Sequence, residues 1–342
     1  MNQIELNKIL KSIEEGRVAN TYLIVGDSSS NALGGALEMV KSILKSPYSE
    51  LNEHQKKQSI SKLEAYNNPD VHFIYPTNTT NEVKKAPSST DFLEQWREMI
   101  RSNQSFSLAD WYSKIGLGNK QGIINKYEAE KISKLASLKS YEGGVKIFLI
   151  WMAEKLNASA SNKLLKVLEE PPNKTVFILV CEKEKALLKT IISRCQKINI
   201  YSQSADTEGF SEDHDGLFAE WVRAAFRVKS NKEAINDLVL IAEKISKKTR
   251  EKQKEFFIYS STVFRDAILY GYKVVDSSKN YTKNFSLSKF SPFVHEENII
   301  SIYEELQKGF LDIERNGNPK IIFLDVSIKL TRLLHKKKSE HV

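Results

Sequence analysis

The sequence predicts an α/β domain, in which a parallel sheet is flanked by helices, followed by an all-helical region. Short apolar segments typical of buried strands alternate with helical patterns as far as Tyr201, and this alternation favours a parallel sheet. Beyond Tyr201 only long helical patterns follow. A chain of 342 residues is long enough for two or three domains of these kinds.

The chain opens with a predicted helix, strand, loop and second helix. Residues 4–16 carry apolar side chains at helical spacing and end at Gly16, a residue type that often ends helices. Thr21–Val25 is a short apolar strand, and Ala32–Leu44 again has apolar residues at helical spacing. A strand, a loop and a helix in this order are the setting in which a phosphate-binding loop would lie.

A further strand, a loop and a helical insertion are predicted next. Val71–Tyr75 is apolar, whereas residues 77–90 are rich in Asn, Thr, Ser and Pro and are typical of a loop. The segment 88–118, here called the insertion, contains large aromatic residues and predicts a small helical element with its own apolar face. Core packing is the favoured interpretation, because aromatic residues that stack on nucleic-acid bases are interleaved with Arg and Lys.

The rest of the α/β domain alternates regularly. Val145–Trp151 is almost wholly apolar, as expected for a strand that is covered on both faces. The predicted helix Ser159–Glu170 ends at Pro171 and Pro172, because proline lacks the N–H of a helical residue. The predicted elements are helix Glu128–Leu138, strand Val145–Trp151, helix Ser159–Glu170, strand Thr175–Val180, helix Glu184–Ile192 and strand Lys197–Tyr201.

The helical region begins after a polar and acidic segment, residues 202–216, which we interpret as a linker. No strand pattern follows it. The predicted helices are Leu217–Val228, Ala234–Thr249, Gln253–Tyr270, Glu296–Glu314 and Lys320–His335.

Composition limits the compartment and the partners. Hydrophobic residues make up 41% and charged residues 27% of the chain, as in ordinary soluble globular proteins. Two cysteines cannot form a disulfide framework or a four-cysteine zinc site. Neither a signal peptide nor an apolar run of membrane-spanning length is present, so we expect a cytoplasmic protein with no membrane contact. The net charge of +8 leaves open whether the surface contacts nucleic-acid backbone.

The expected phosphate-binding loop lacks the residues that bind phosphate and magnesium. Such a loop needs the pattern G-x-x-x-x-G-K-[ST], whose glycines, lysine and hydroxyl bind phosphates and magnesium. Counted from Gly26, the second glycine is Asn31, the lysine is Ala32 and the hydroxyl residue is Leu33. Asp27 adds a negative charge where phosphates would lie.

An acidic pair that would hold magnesium after a buried strand is also missing. The positions after Ile150 are Trp151 and Met152, and the carboxylate of Glu154 comes two residues too late. We therefore expect no metal site and no ATP hydrolysis by this chain. Nucleotide binding without hydrolysis stays open as a less favoured alternative.

Arg194 is the residue that favours a functional role. It follows a short predicted helix and lies within Ser193-Arg194-Cys195. A guanidinium presented at a subunit edge can neutralise a transferring phosphoryl group that a neighbouring subunit holds. Taken alone, such an arginine is more often a surface ion-pairing residue. Cys195 is interpreted as a packing residue, since no histidine partner is evident nearby.

Residues 161–195 give these features a common context. Ser161–Pro172 reads Ser-Asn-Lys-Leu-Leu-Lys-Val-Leu-Glu-Glu-Pro-Pro, and the strand Val176–Leu179 and Ile192-Ser193-Arg194-Cys195 follow. This order resembles the AAA+ clamp-loader family of bacterial DNA polymerase III. Asn68–His72 and Asn316–Lys320 resemble further stretches of that family. No zinc module of the family has a counterpart, because residues 45–70 contain no cysteine, and the insertion has no evident equivalent.

The resemblance implies three domains and a non-catalytic role in an assembly. These are an AAA+ domain with a degenerate nucleotide site at residues 1–201, a small helical lid at 202–232, and a helical collar for oligomerisation at 233–342. Arg194 would act in trans as an arginine finger, and no cofactor is expected. The implied partners are tau/gamma-like ATPase subunits and a delta-like subunit, with the sliding clamp and primer-template DNA contacted through the complex.

Two other functions are alternatives to that of a non-hydrolysing clamp-loader subunit. An ATPase motor subunit of the same family is disfavoured by the residues at Asn31, Ala32, Leu33, Trp151 and Met152. A basic DNA-binding scaffold would require tight and strongly salt-dependent DNA binding by the isolated chain.

Overall fold

The computed structural model describes residues 3–26, 30–200, 212–274 and 285–336. The chain divides into two compact units, residues 1–204 and 205–342. Most of the predicted linker, residues 202–211, lies outside the described residues. None of the described helices combines the length and apolarity that a membrane span requires.

The first unit is built on a parallel sheet whose five strands lie in the order β2-β3-β4-β1-β5. Every residue of β1, β3 and β4 is buried, which explains their continuous apolar sequences. The predicted α/β fold, a parallel sheet flanked by helices, is confirmed. The strands are β1 (Thr21–Val25), β2 (Val71–Ile74), β3 (Lys146–Trp151), β4 (Thr175–Cys181) and β5 (Gln196–Asn199).

Helices cover the sheet and form two apolar cores with the side chains of its strands. Asn side chains cap the N-termini of several of these helices, for example Asn125 and Asn157, whose amide oxygens accept backbone N–H groups of the first turn. The helices are α1 (Gln3–Glu14), α2 (Ala32–Lys45), α3 (Glu53–Glu64), α4 (Leu93–Ser102), α5 (Leu108–Lys114), α6 (Lys126–Ser137), α7 (Ala158–Glu169) and α8 (Lys189–Ile192).

Two elements differ from the sequence prediction. The helix α3 was not predicted, because only Ser59 and Leu63 of its residues are buried and its apolar pattern is therefore weak. Asn52 begins it with a reciprocal capping box to Gln55. The single helix predicted at Glu184–Ile192 is instead a 3-10 turn, Glu184–Ala186, followed by the short helix α8.

The insertion is helical, as predicted, but its apolar face is not a separate core. Its helices α4 and α5 bury Trp96 and Trp111 completely, in the same core as the side chains of β2 and β3. The Trp96 ring stacks on Tyr75, with 4.3 Å between ring centroids, and lies 5.4 Å from the ring of Trp151. The aromatic residues are therefore core residues, which leaves no stacking platform for bases.

The regular elements among the described residues of the second unit are all helices, as predicted. Its helices share one apolar core, to which α9 contributes Leu217, Phe218 and Trp221. Because α9 lies within this core, the division into a lid at 202–232 and a collar at 233–342 stays a prediction. The helices are α9 (Glu212–Arg227), α10 (Ala234–Ser246), α11 (Arg250–Gly271), α12 (Leu287–Phe290), α13 (Glu296–Glu314) and α14 (Pro319–Leu334).

His72, on the edge strand β2, makes the first unit sensitive to acid. Its ring stacks on Phe148 at 4.8 Å, and burial, with a smaller contribution from the charge of Lys146, lowers the pKa of His72 from 6.5 to about 4. The nearby charges of Asp70 and Lys131 are smaller and opposed effects. Because the folded pKa lies below the unfolded one, the stability from neutral His72 is complete above about pH 6.5 and is lost as the pH falls through about 4.

We expect His72→Phe to flatten the decline of unfolding free energy between pH 7 and pH 4.5, since phenylalanine keeps the ring contact and binds no proton. Urea unfolding of the full chain at the two pH values measures this. His54→Gln, which removes an exposed histidine of the same unit, is the control and should retain the wild-type decline. An equal decline in His72→Phe would contradict the assignment.

Candidate functional site

The degenerate loop residues Gly26, Asn31, Ala32 and Leu33 lie together between β1 and α2, and Asn31 satisfies one N–H group of the helix N-terminus. Asn31 caps α2 in the left-handed region, at φ 52°, and its Oδ1 accepts the N–H of Gly34 at 3.2 Å. A Cβ on Gly34 would lie 2.4 Å from the Asn31 amide, so the glycine is what permits this cap. Free N–H groups at a helix N-terminus bind phosphate, and here one of them is already occupied. Asp27 lies outside the described residues.

The end of β3 has apolar side chains where a magnesium-binding pair would lie. Trp151 and Met152 are each only 3% exposed. Of the Glu154 carboxylate, Oε1 accepts the backbone N–H of Glu182 at 3.1 Å, and Oε2 is buried without a hydrogen-bond partner among the described residues. Among the described residues no group of three or more His, Cys, Asp and Glu side chains could hold a metal ion.

The insertion fills the space between these two turns. The Phe106 ring packs against Trp151 with 5.1 Å between centroids, and the Ser105 hydroxyl donates to Asn31 Oδ1 at 3.1 Å. The cavity that remains beside Gly26, Ala32 and Leu33 has a volume of about 20 Å³. That is room for about one water molecule, whereas pockets for small organic ligands have volumes of roughly 300–1,000 Å³.

Ser105 and Phe106 reach this site without any signal in the sequence. The sequence places them only within the insertion, and no motif links them to Asn31 or Trp151. Their approach depends on how α4 and α5 pack on β2 and β3, which is a tertiary contact without a local signal. The structure thus brings together the described residues of the degenerate site, to which it adds Ser105 and Phe106; they are Gly26, Asn31, Ala32, Leu33, Trp151 and Met152.

We expect Mg-ATP to leave the melting temperature of the isolated full chain unchanged, because the described residues leave a cavity of only about 20 Å³ beside Gly26, Ala32 and Leu33. A ligand present at 1,000 times its Kd would add about 4 kcal/mol to the unfolding free energy, so millimolar ATP would reveal micromolar binding. Thermal unfolding with and without 1 mM ATP (about 1,000 times such a Kd) is the measurement. An ATPase motor subunit serves as positive control, and a rise of several degrees for this chain would refute the expectation.

Arg194 lies in the turn after α8, with its side chain 32% exposed. Its Nη1 donates to the carbonyl of Thr190 at 2.7 Å and lies 3.4 Å from the Ser193 hydroxyl. Its Nη2 forms an ion pair with Glu169, the last residue of α7. A guanidinium has five N–H donors, so these contacts leave donors available to a ligand at the surface.

The neighbours of Arg194 shape the turn and supply no nucleophile. The Cys195 thiol donates to the carbonyl of Ile191 at 3.2 Å, and burial raises the pKa of Cys195 to about 12. Such a thiol stays protonated and unreactive at neutral pH. The Ser193 hydroxyl donates to the carbonyl of Thr190 at 3.2 Å.

Arg194 and the degenerate site lie at opposite ends of the sheet. Arg194 precedes β5, which runs parallel to β1 with Gln196 opposite Tyr22, whereas Gly26 follows the end of β1. A strand of five residues such as β1 is roughly 16 Å long. The guanidinium therefore cannot serve the nucleotide site of its own subunit, and any phosphate that it meets must come from another molecule.

Comparison with known proteins identifies the family of the chain. The family described as DNA polymerase III, delta subunit, matches residues 1–204. The chain is 27% identical over 201 residues to DNA polymerase III subunit delta' of Bacillus subtilis, a match that covers 58% of this chain and 48% of the relative. It is 42% identical over 86 residues to the delta' subunit of Yersinia pestis, which covers 25% of each. These matches span about half the length of the curated relatives, or less.

Solved structures to which the chain is similar include a gamma subunit-related protein of DNA polymerase III from Thermotoga maritima, at 14% identity and a TM-score of 0.40, covering 97% of this chain and all of that one. The Bacillus subtilis clamp loader delta protein has 11% identity and a TM-score of 0.32, with the same coverage. Because the family match extends over more than half of the chain, the chain belongs to the DNA polymerase III delta subunit family, and within it to the delta' type of clamp-loader subunit.

Proposed function

We propose that the chain is a non-hydrolysing clamp-loader subunit that supplies Arg194 in trans to the ATP site of a neighbouring motor subunit. In this role it helps to load the sliding clamp onto primed DNA. The observation that carries the proposal is the separation of an exposed guanidinium from a nucleotide site that the chain's own side chains fill.

The chemistry of phosphoryl transfer explains what such a subunit contributes. Negative charge is spread over the transferred phosphoryl group in the transition state, and a positioned arginine stabilises it. Arginine suits the task better than lysine because its planar guanidinium binds two oxygens at once and stays charged. Because the subunit would hydrolyse no ATP at its own filled site, it would act as a fixed partner for the moving motor subunits.

The assembly partners that we propose are tau/gamma-like ATPase subunits and a delta-like subunit, with clamp and primer-template DNA reached through the complex. A match of 43% identity over 54 residues to subunit tau of Bacillus subtilis, covering 16% of this chain and 10% of the relative, supports relationship to the motor subunits. The second unit also exposes large apolar side chains on α11 and α13, Ile258, Ile300 and Tyr303. Such surfaces are typical of protein interfaces and fit an oligomerisation role for this unit.

The experiment that tests the proposal is reconstitution of the loader from purified subunits with either the wild-type chain or Arg194→Ala. Both chains should enter the complex, because the substitution affects one exposed side chain, but only the wild type should support full clamp- and DNA-stimulated ATPase. Normal turnover with the variant would remove the trans role. Failure of the wild-type chain to assemble would remove the clamp-loader role itself.

A further inference from the structure

We infer that Glu169 is a positioning residue for Arg194, which holds the guanidinium ready for the neighbouring nucleotide before the subunits meet. This inference rests on the proposed function and adds a second residue to it. It is based on the Arg194–Glu169 ion pair and on the place of Glu169 at the end of a helix.

The position of Glu169 is fixed by the way in which α7 ends. Glu169 is the last helical residue, and the N–H of Glu170 still donates to the carbonyl of Lys166 at 3.2 Å. Pro171 and Pro172 follow at once, and proline cannot continue a helix. The carboxylate therefore projects from a well-defined point on the surface.

Local helix energetics argue against a carboxylate at this place. The C-terminal end of a helix carries partial negative charge, so acidic side chains there are unfavourable. The cationic guanidinium of Arg194 offsets that repulsion. Glu169 is thus unfavourable for α7 itself and is stabilised by one specific partner, Arg194. Its effect on Arg194 explains its presence better than any contribution to the helix.

The contacts on the guanidinium come from two different directions. The Thr190 carbonyl holds Nη1, and the Glu169 carboxylate holds Nη2. Because a guanidinium is planar, two such anchors fix its plane as well as its position, while its remaining N–H groups stay available. A freely rotating arginine would lose rotamer entropy when it binds a phosphate. These two contacts order the Arg194 side chain before it binds, so that entropy is not lost again on binding.

An exposed ion pair alone contributes little to folding, so stability is the wrong property to measure. The informative quantity is the single-turnover rate of ATP hydrolysis at the motor site that faces this chain. Glu169→Gln keeps the shape and removes the charge. Glu170→Gln makes the same change of net charge at the adjacent residue, which forms no ion pair with any described residue, and is the matched control.

In the reconstituted loader we expect Glu169→Gln to lower the maximal rate about 3- to 10-fold with little change in the ATP concentration for half-saturation. Glu170→Gln should behave as the wild type. In an Arg194→Ala background Glu169→Gln should have no further effect, because the two residues act as a pair. A merely structural role of Glu169 would lower the rate in both backgrounds.

The outcomes separate this inference from the function on which it rests. If Arg194→Ala leaves hydrolysis unchanged, the trans role of the chain fails. If Arg194→Ala slows hydrolysis and Glu169→Gln does not, the trans role stands and the positioning role of Glu169 is overturned. Equal melting temperatures of the isolated variants establish that a slower rate does not reflect misfolding.

Discussion

Arg194→Ala should slow ATP hydrolysis at the facing motor site by about 10³-fold or more, the range measured for arginine fingers. The substitution removes the only charge that this chain is proposed to bring to the transition state. ATP binding by the motor subunit should change little, because its own residues hold the phosphates. The effect should therefore fall on the maximal rate.

A loader in which only the facing motor site retains hydrolysis gives the cleanest measurement, since the other sites would otherwise mask the loss. Arg17→Ala is the matched control, because Arg17 is an exposed, ion-paired arginine of the same unit. Arg194→Lys should recover only part of the rate, since an ammonium group lacks the planar pair of donors. A rate within twofold (about 0.4 kcal/mol in barrier height) of the wild type for Arg194→Ala would contradict the proposal.

The sheet was predictable because its central strands are covered on both faces, so their burial produces unbroken apolar segments in the sequence, such as residues 147–151 and 176–181. The helix α3 was missed for the opposite reason, since most of its residues face solvent and its apolar period is weak. Its Asn52 capping box was the available signal, but it was not followed by an apolar run.

For the candidate site, the sequence showed which chemistry was lost but not what replaced it. The changes at Asn31, Ala32 and Leu33 excluded a working phosphate loop, yet only the structure shows Asn31 capping α2 and Ser105 bonding to it. The Arg194–Glu169 pair was hidden for the same reason. It joins two elements separated by β4, and sequence periodicity carries no information on contacts between elements.

The insertion supplies atoms at the degenerate nucleotide site. A site that binds no nucleotide has to be filled by other atoms, because cavities in a protein interior are costly. Phe106 and Trp151 supply apolar volume at that place, and Ser105 supplies a hydrogen bond.

Trp96→Ala should lower the unfolding free energy of the first unit by about 3–5 kcal/mol, the usual cost of truncating a buried aromatic residue. Trp96 is fully buried, and its ring contacts Tyr75, Phe106, Trp111 and Trp151. Its loss would remove packing under the two residues that fill the nucleotide site. Urea unfolding followed by tryptophan fluorescence reports mainly on this unit, because three of the four tryptophans of the chain lie in it.

Trp96→Phe separates volume from hydrogen bonding in this prediction. The Trp96 Nε1 is buried and finds no hydrogen-bond partner among the described residues, so the indole N–H carries a desolvation cost that phenylalanine removes. We therefore expect Trp96→Phe to be much less destabilising than Trp96→Ala. Tyr127→Ala, at a ring that is 65% exposed, should be close to neutral. If Trp96→Ala cost no more than this surface control, the aromatic cluster would not be what stabilises the filled site.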